Sequence, residues 1–112
     1  MNIVKFCKKA GISESRYKEI TGKSFNQEAD DLAAVNQNGM ALQFVKNQTE
    51  AICLAAVNKD GRALYFVENQ TKAICLAAVK QDGMVLKYVK KQTEEICLAA
   101  VNQTEMALVY VR

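Results

Sequence analysis

Apolar and polar positions recur with a period of 22 residues over most of this 112-residue chain. A leucine followed by two alanines and a valine returns at each step, and a second apolar segment follows it in every copy. The leucines of the first segment are Leu32, Leu54, Leu76 and Leu98, and those of the second are Leu42, Leu64, Leu86 and Leu108. The sequence therefore predicts four copies of one structural unit.

Each copy is predicted to form two short helices. Threonine stands at an N-cap position before the first apolar segment in three copies, at Thr49, Thr71 and Thr93. Glycine follows that segment at Gly39, Gly61 and Gly83. These glycines are predicted to end the first helix in the left-handed conformation. In the second helix, Leu64 and Val67 are expected to point inward. Every third position from Arg62 onward, including Tyr65, is expected to point outward.

Stacking must stabilise these helices, because isolated helices of fewer than about 12 residues are marginal in water. Small alanine pairs at a fixed place in every copy allow neighbouring helices to approach closely. The predicted fold class is therefore all-α, with short α-helical hairpin repeats stacked as a small α-solenoid over residues 26–112. Residues 1–25 do not align with the repeat and are predicted to form an N-terminal helix-turn-helix-like cap.

The repeat pattern resembles a known family. The motif "AVxQxGxALxYV…QTxxICLAAV", to which residues 78–89 and 92–101 conform at most positions, resembles a domain of unknown function that occurs in multi-copy arrays in intracellular bacteria, giant viruses and mobile elements. The resemblance covers about residues 29–112. It implies helical repeats without known catalytic activity, and it indicates no partner.

The N-terminal segment, residues 2–24, also permits a nucleic-acid hypothesis. Gly11 is predicted to form a turn and Ser13 to cap a second helix from Glu14 to about Thr21, as in a DNA-binding helix-turn-helix. Residues 1–24 carry six cationic and two acidic side chains, a net charge of +4 within a chain of net charge +3. The candidate DNA contacts are Ser15, Arg16, Lys18 and Lys23. A role as a cap and a contact with a protein remain as alternatives.

Residue types that usually carry catalysis or bind metals are few. The chain contains no histidine, and its repeated cysteines, Cys53, Cys75 and Cys97, form no CxxC motif. We therefore interpret them as small buried hydrophobic residues. The Asn-Gln-Thr triplets, at residues 47–49, 69–71 and 102–104, are interpreted as turns and helix caps instead of glycosylation sites. We expect no enzyme activity, cofactor or metal.

The outward positions of the second helices differ most between copies, as in repeat proteins that adapt a binding surface. The candidate partner-binding residues are Met40, Gln43, Arg62, Tyr65, Met84, Lys87, Met106 and Val109. Unselected variation at solvent-facing positions is the alternative. The last copy lacks a polar capping helix, so its open end is expected to bury apolar surface against a partner or a second copy of the chain.

The sequence thus favours a non-enzymatic protein-protein interaction module. The specific hypothesis is a phage- or effector-encoded inhibitor that sterically blocks a host or defence protein, and the alternative is a DNA-binding regulator that uses residues 2–24. No apolar run approaches the roughly 20 residues of a membrane span. The expected location is the cytoplasm, in the host cell if the chain is encoded by a phage or an effector.

Overall fold

A computed structural model describes residues 3–22 and 27–112, which form two compact units, Met1–Asp30 and Asp31–Arg112. The regular secondary structure of these described residues is helical throughout, so the predicted all-α class is confirmed. The α-helices are α1 (Ile3–Ala10), α2 (Glu14–Thr21), α3 (Gln27–Gln37), α4 (Glu50–Lys59), α5 (Lys72–Gln81) and α6 (Glu94–Gln103). The 3₁₀ helices are η1 (Gly39–Phe44), η2 (Gly61–Phe66), η3 (Gly83–Tyr88) and η4 (Glu105–Tyr110). Repeats 1 to 4 are the pairs α3–η1, α4–η2, α5–η3 and α6–η4.

The predicted threonine caps begin α4, α5 and α6. The hydroxyl oxygen of Thr49 accepts a hydrogen bond from the backbone N–H of Ile52 at 3.2 Å, and the equivalent bonds in α5 and α6 are both 3.3 Å. Each hydroxyl therefore satisfies one of the backbone donors that a helix leaves free at its start. The triplet at residues 102–104 is different, because Thr104 precedes η4 and makes no side-chain cap bond.

The second helix of each repeat is a 3₁₀ helix, whereas an α-helix was predicted. In η2, the N–H of Ala63 donates to the carbonyl oxygen of Asp60 at 2.9 Å, a bond between residues three apart. The carboxylate of Asp60 accepts from the N–H of Arg62 at 3.0 Å and starts the tight turn. Because a 3₁₀ helix has three residues per turn, every third side chain lies on one side. This period explains why Tyr65 is exposed between buried residues.

The repeated glycines have a different role from the predicted one. Gly39, Gly61 and Gly83 are the first residues of 3₁₀ helices, and the left-handed glycines among the described residues are Gly11 and Gly22. A Cβ atom at the three repeated glycines would lie 2.5, 2.9 and 2.5 Å from the carbonyl oxygens of Ala56, Ala78 and Ala100, respectively. Glycine is therefore required because the next repeat packs against the backbone at this position.

Stacking produces two layers with the core between them. Helix α4 packs on α5 and α5 on α6, while the 3₁₀ helices pack in the order η1, η2, η3 and η4. Fully buried leucines and isoleucines from every repeat fill the space between the layers: Leu42, Ile52, Leu64, Ile74, Leu86 and Ile96. Burying such a side chain is worth roughly 1.5–3 kcal/mol, so the inter-repeat contacts supply the stability that the short helices lack.

The N-terminal unit contains the predicted turn between two helices. Gly11 adopts φ +74°, and the N–H of Ile12 donates to the carbonyl oxygen of Cys7 at 2.8 Å, which ends α1. Ser13 then caps α2 by accepting from the N–H of Arg16 at 3.1 Å. Cys7 is buried in this unit. The predicted turn and cap are thus confirmed, while the role of this unit as a cap for the repeats stays a prediction.

Candidate interaction surfaces

A glutamine just before each of α4, α5 and α6 bonds to the end of the 3₁₀ helix of the same repeat. The side chain of Gln48 donates to the carbonyl oxygen of Phe66 at 2.8 Å and accepts from the N–H of Glu68 at 3.0 Å. Gln70 and Gln92 repeat this pair of bonds one and two repeats later, at 2.8–2.9 Å. We name Gln48, Gln70 and Gln92 the glutamine clamp. Its function was missed from the sequence, where only the recurrence of the Gln-Thr pair could have indicated it.

The repeated cysteines belong to the same arrangement. The thiols of Cys53, Cys75 and Cys97 donate to the side-chain oxygen of the clamp glutamine of their own repeat, over 3.4–3.7 Å. Cys53 and Cys75 are buried, and Cys97 is half-buried. Burial raises the pKa of the Cys53 and Cys75 thiols, and the nearby Glu68 and Glu50 carboxylates add to the effect at Cys53. The predicted burial is therefore confirmed for these two residues.

Most of the predicted partner-binding residues are exposed. The exposed side chains are Gln43, Arg62, Tyr65, Lys87, Met106 and Val109. Met40 and Met84 are half-buried and therefore less exposed than outward positions should be. Each directly follows one of the repeated glycines that lie against the next repeat. Arg62 occupies the same position but bonds to the Asp60 carboxylate at 2.7 Å and remains in solvent.

Aromatic and basic side chains meet along the 3₁₀ layer. The rings of Tyr65 and Tyr88 lie 5.2 Å apart in an edge-to-face arrangement. The ammonium group of Lys87 lies 5.1 Å from the ring centre of Tyr88 and 5.7 Å from that of Tyr110. Stacking thus brings Tyr65 and Lys87, both predicted site residues, into one row with two half-buried tyrosines. Each cation–π contact at an exposed site contributes about 0.5–1 kcal/mol.

Repeat 4 exposes apolar positions that the earlier repeats bury. Leu108 is 62 % exposed, whereas its counterparts Leu42, Leu64 and Leu86 are 0 % exposed. Val111 is 41 % exposed, against at most 7 % for the equivalent valines of repeats 1 to 3, and Leu98 is 55 % exposed. We call Leu98, Leu108 and Val111 the end face.

The end face is continuous in η4 with exposed Met106 and Val109, which were predicted as site residues. An apolar end was predicted in repeat 4, with Met106 and Val109 as its candidate site residues. The other three were missed because their repeat positions are core positions.

The candidate nucleic-acid residues that the structure describes lie on α2. Ser15, Arg16 and Lys18 are exposed, whereas Lys23 lies outside the described residues. The guanidinium of Arg16 forms an ion pair with the Glu19 carboxylate at 3.1 Å. Lysines 5, 8 and 9 of α1 are exposed as well. The unit thus presents cationic side chains on both helices, and one of them is already paired within α2.

Together, the stacked helix pairs, the glutamine clamp and the end face describe an all-α, repeat-like fold. A family model described as a domain of unknown function (DUF4116) matches residues 71–112, which include all of repeats 3 and 4. The searches of curated proteins and of solved structures gave no match. Across the residues that the structure describes, every helix is too short or too polar to cross a membrane.

Proposed function

We propose that this chain is a non-enzymatic protein-protein interaction module that binds its partner through the end face and the adjoining outward side of η4. The observation that carries the proposal is the exposure of Leu108, at 62 %, in a position that is fully buried in the other three repeats. Exposed apolar side chains that lie together favour an interface. Covering Leu98, Leu108 and Val111 would recover part of the hydrophobic free energy that their counterparts already contribute.

The chemistry of the partner follows from what covers the equivalent positions elsewhere in the chain. In repeats 1 to 3, the following repeat packs on them with an α-helix and a 3₁₀ helix. The end face therefore has the same repeat positions as surfaces that, in repeats 1 to 3, are covered by apolar helices. We propose a protein partner that presents such a surface, with Tyr65 and Lys87 on the side of the stack as secondary contacts.

The proposed mechanism is steric. A rigid stack that covers an apolar surface of its partner prevents a substrate or subunit from using that surface. The resemblance to repeats found in viruses and mobile elements supports the specific form of this proposal, in which the chain is an inhibitor of a host or defence protein.

The test is site-specific photo-crosslinking followed by measured binding. A photoreactive phenylalanine analogue is placed at position 108, and a matched one at the exposed Asn58 of α4. A protein captured from position 108 and not from position 58 is then purified, and its affinity for the full chain is measured by calorimetry. We expect Met106→Glu and Val111→Glu to weaken binding at least tenfold, while Asn58→Glu has no effect.

Two outcomes would contradict the proposal. The first is a captured protein whose affinity is unchanged by both Met106→Glu and Val111→Glu. The second is an adduct made of two copies of this chain, which would assign the end face to a homodimer. Circular dichroism of each variant confirms that the fold is intact, as expected for substitutions at exposed positions.

A second candidate function, DNA binding, is supported by the exposure of Ser15, Arg16 and Lys18 on a capped helix that follows a helix-turn-helix turn. Its test is the salt dependence of binding to a mixed-sequence duplex, because each phosphate contact steepens the slope. An Arg16→Ala/Lys18→Ala variant should lose this binding, while a Lys80→Ala control on α5 should retain it. Binding that is unchanged in the double variant would exclude this use of α2.

A further inference from the structure

The glycine position at the start of each 3₁₀ helix faces the next repeat at very short range. Ideal Cβ atoms at Gly39 and Gly83 lie 2.5 Å from backbone carbonyl oxygens of the following repeat, and the atom at Gly61 lies 2.9 Å away. Real Cβ atoms essentially never approach an oxygen this closely. The neighbour is backbone, so a change of side-chain rotamer cannot relieve the clash. A repeat therefore docks in this geometry only on glycine.

Repeat 4 carries Glu105 at this position, and the residue is exposed as the first residue of η4. The backbone enters η2, η3 and η4 in the same extended conformation, because the residue before each helix has φ between −151° and −153°. The Cβ atom of Glu105 consequently points where a further repeat would place its first helix. The rest of the Glu105 side chain would also have to fit where, at Gly83, the side chains of Gln103 and Thr104 lie within 3 Å of an added Cβ atom.

We infer that Glu105 closes the end face to another repeat of this kind. The end face keeps the apolar residues of an inter-repeat interface, but one side chain prevents the interface from forming in the same way. A second copy of this chain therefore cannot continue the stack head to tail in the geometry of the repeats. This inference stands independently of the proposed function.

The first experiment recreates the obstacle inside the chain. Gly83→Glu places the same side chain between repeats 3 and 4, and Gly83→Ala places its Cβ atom alone. Both variants should release repeat 4, so that trypsin cleaves after Lys90 or Lys91 about tenfold faster or more than in the unmodified chain, as mass spectrometry of the fragments will show. Asn58→Glu, an exposed change of the same charge, should cleave at the original rate. Unchanged cleavage in Gly83→Glu would overturn the inference.

The second experiment removes the obstacle at the end face. A fifth repeat, copied from residues 91–112, is appended after Arg112 of the full chain. In the Glu105→Gly background it should dock, which raises the thermal midpoint and the denaturant slope relative to the unextended Glu105→Gly chain. In the unmodified and Glu105→Ala backgrounds, the appended repeat should change neither the thermal midpoint nor the denaturant slope. Docking of the appended repeat on the unmodified chain, or equally on Glu105→Ala, would show that the Cβ atom of residue 105 does not close the face.

Discussion

The side-chain amide of Gln70 donates a hydrogen bond to the carbonyl oxygen of Tyr88 at 2.9 Å, across 18 residues of sequence. The same side chain accepts from the N–H of Lys90 at 2.9 Å and from the thiol of Cys75. One glutamine, placed just before α5, thereby satisfies two backbone groups at the end of η3, the 3₁₀ helix of the same repeat. The clamp joins the start of a repeat to its end, which explains why the Gln-Thr pair returns with the period.

Removing this glutamine should weaken the stack. Gln70→Ala leaves the Tyr88 carbonyl and the Lys90 N–H without their partner, and we expect a loss of about 2–3 kcal/mol in the free energy of unfolding. The measurement is urea denaturation followed by circular dichroism. Gln43→Ala is the matched control, because the amide of Gln43 is exposed and bonds only to Met40 of its own helix. Equal stability of the two variants would contradict the role of the clamp.

Two leucines at the same repeat position should respond differently to truncation. Leu86 is fully buried, whereas Leu108 is exposed on the end face. Leu86→Ala is expected to cost about 2–5 kcal/mol through lost burial and a residual cavity. Leu108→Ala should change the free energy of unfolding by less than about 0.5 kcal/mol, as is usual for surface positions. A large loss in Leu108→Ala would mean that the end face is buried within the free chain.

Much of the scaffold follows from local sequence. The period, the threonine caps and the turn at Gly11 depend on contacts between residues a few positions apart, and each was predicted. The type of the second helix was wrong, and the aspartate or asparagine before η1, η2 and η3 does not alone determine it, because η4 is a 3₁₀ helix although Thr104 makes no side-chain cap bond. The outward positions at every third residue already carried the 3₁₀ period, although we assigned them to an α-helix.

The features that were missed depend on distant residues. The role of Gly83 follows from the backbone of Ala100, and that of Gln70 from Tyr88, so a helix considered alone contains neither signal. The same reason explains the end face. Leu108 carries the sequence pattern of a core residue, and its exposure follows from the arrangement of the stack around it. When a residue keeps its type at the same position of successive repeats, as Leu86 and Leu108 do, a difference in burial is found by comparing its neighbours.

The Asp60 cap should make stability depend on acid pH. Hydrogen bonding to Arg62 is the main cause that lowers the pKa of Asp60. A lowered folded-state pKa contributes stability above the unfolded pKa, about 3.9, and this contribution is lost as the pH falls through the folded value. Asp60→Asn should keep the cap, because Asn38 makes the equivalent bond to the N–H of Met40 at 3.1 Å.

At pH 7, we expect Asp60→Asn to cost less than about 1 kcal/mol, since Arg62 is largely exposed to solvent. Once the pH has fallen below the folded-state pKa of Asp60, the variant and the unmodified chain should become equally stable. The measurement is urea denaturation at intervals between pH 7 and pH 2, with Arg62→Ala as a second variant that removes the same pair. A difference between Asp60→Asn and the unmodified chain that stays constant over this range would show that the ion pair contributes nothing.

We expect the folded chain to lose stability at alkaline pH because two of its thiols are buried. Burial raises the pKa of Cys53 and Cys75, so the folded chain holds their protons to a higher pH than the unfolded chain does. The protonated thiols therefore contribute their full stabilisation below the thiol pKa of the unfolded chain, about 8.5. This stabilisation is lost as the pH rises through the pKa values of the folded chain. Urea denaturation under reducing conditions at pH 7.5 and pH 9.5 measures the decline.

The cysteine contribution is separated from that of other groups by a variant. Cys53→Ala/Cys75→Ala should be less stable at pH 7.5, because two buried side chains are shortened, but its free energy of unfolding should fall less between the two pH values. In the unmodified chain, a thiol reagent should label the half-buried Cys97 before Cys53 and Cys75. An equal decline in both chains would contradict the prediction, and so would rapid labelling of Cys75, because either result requires a thiol that is open to solvent in the folded stack.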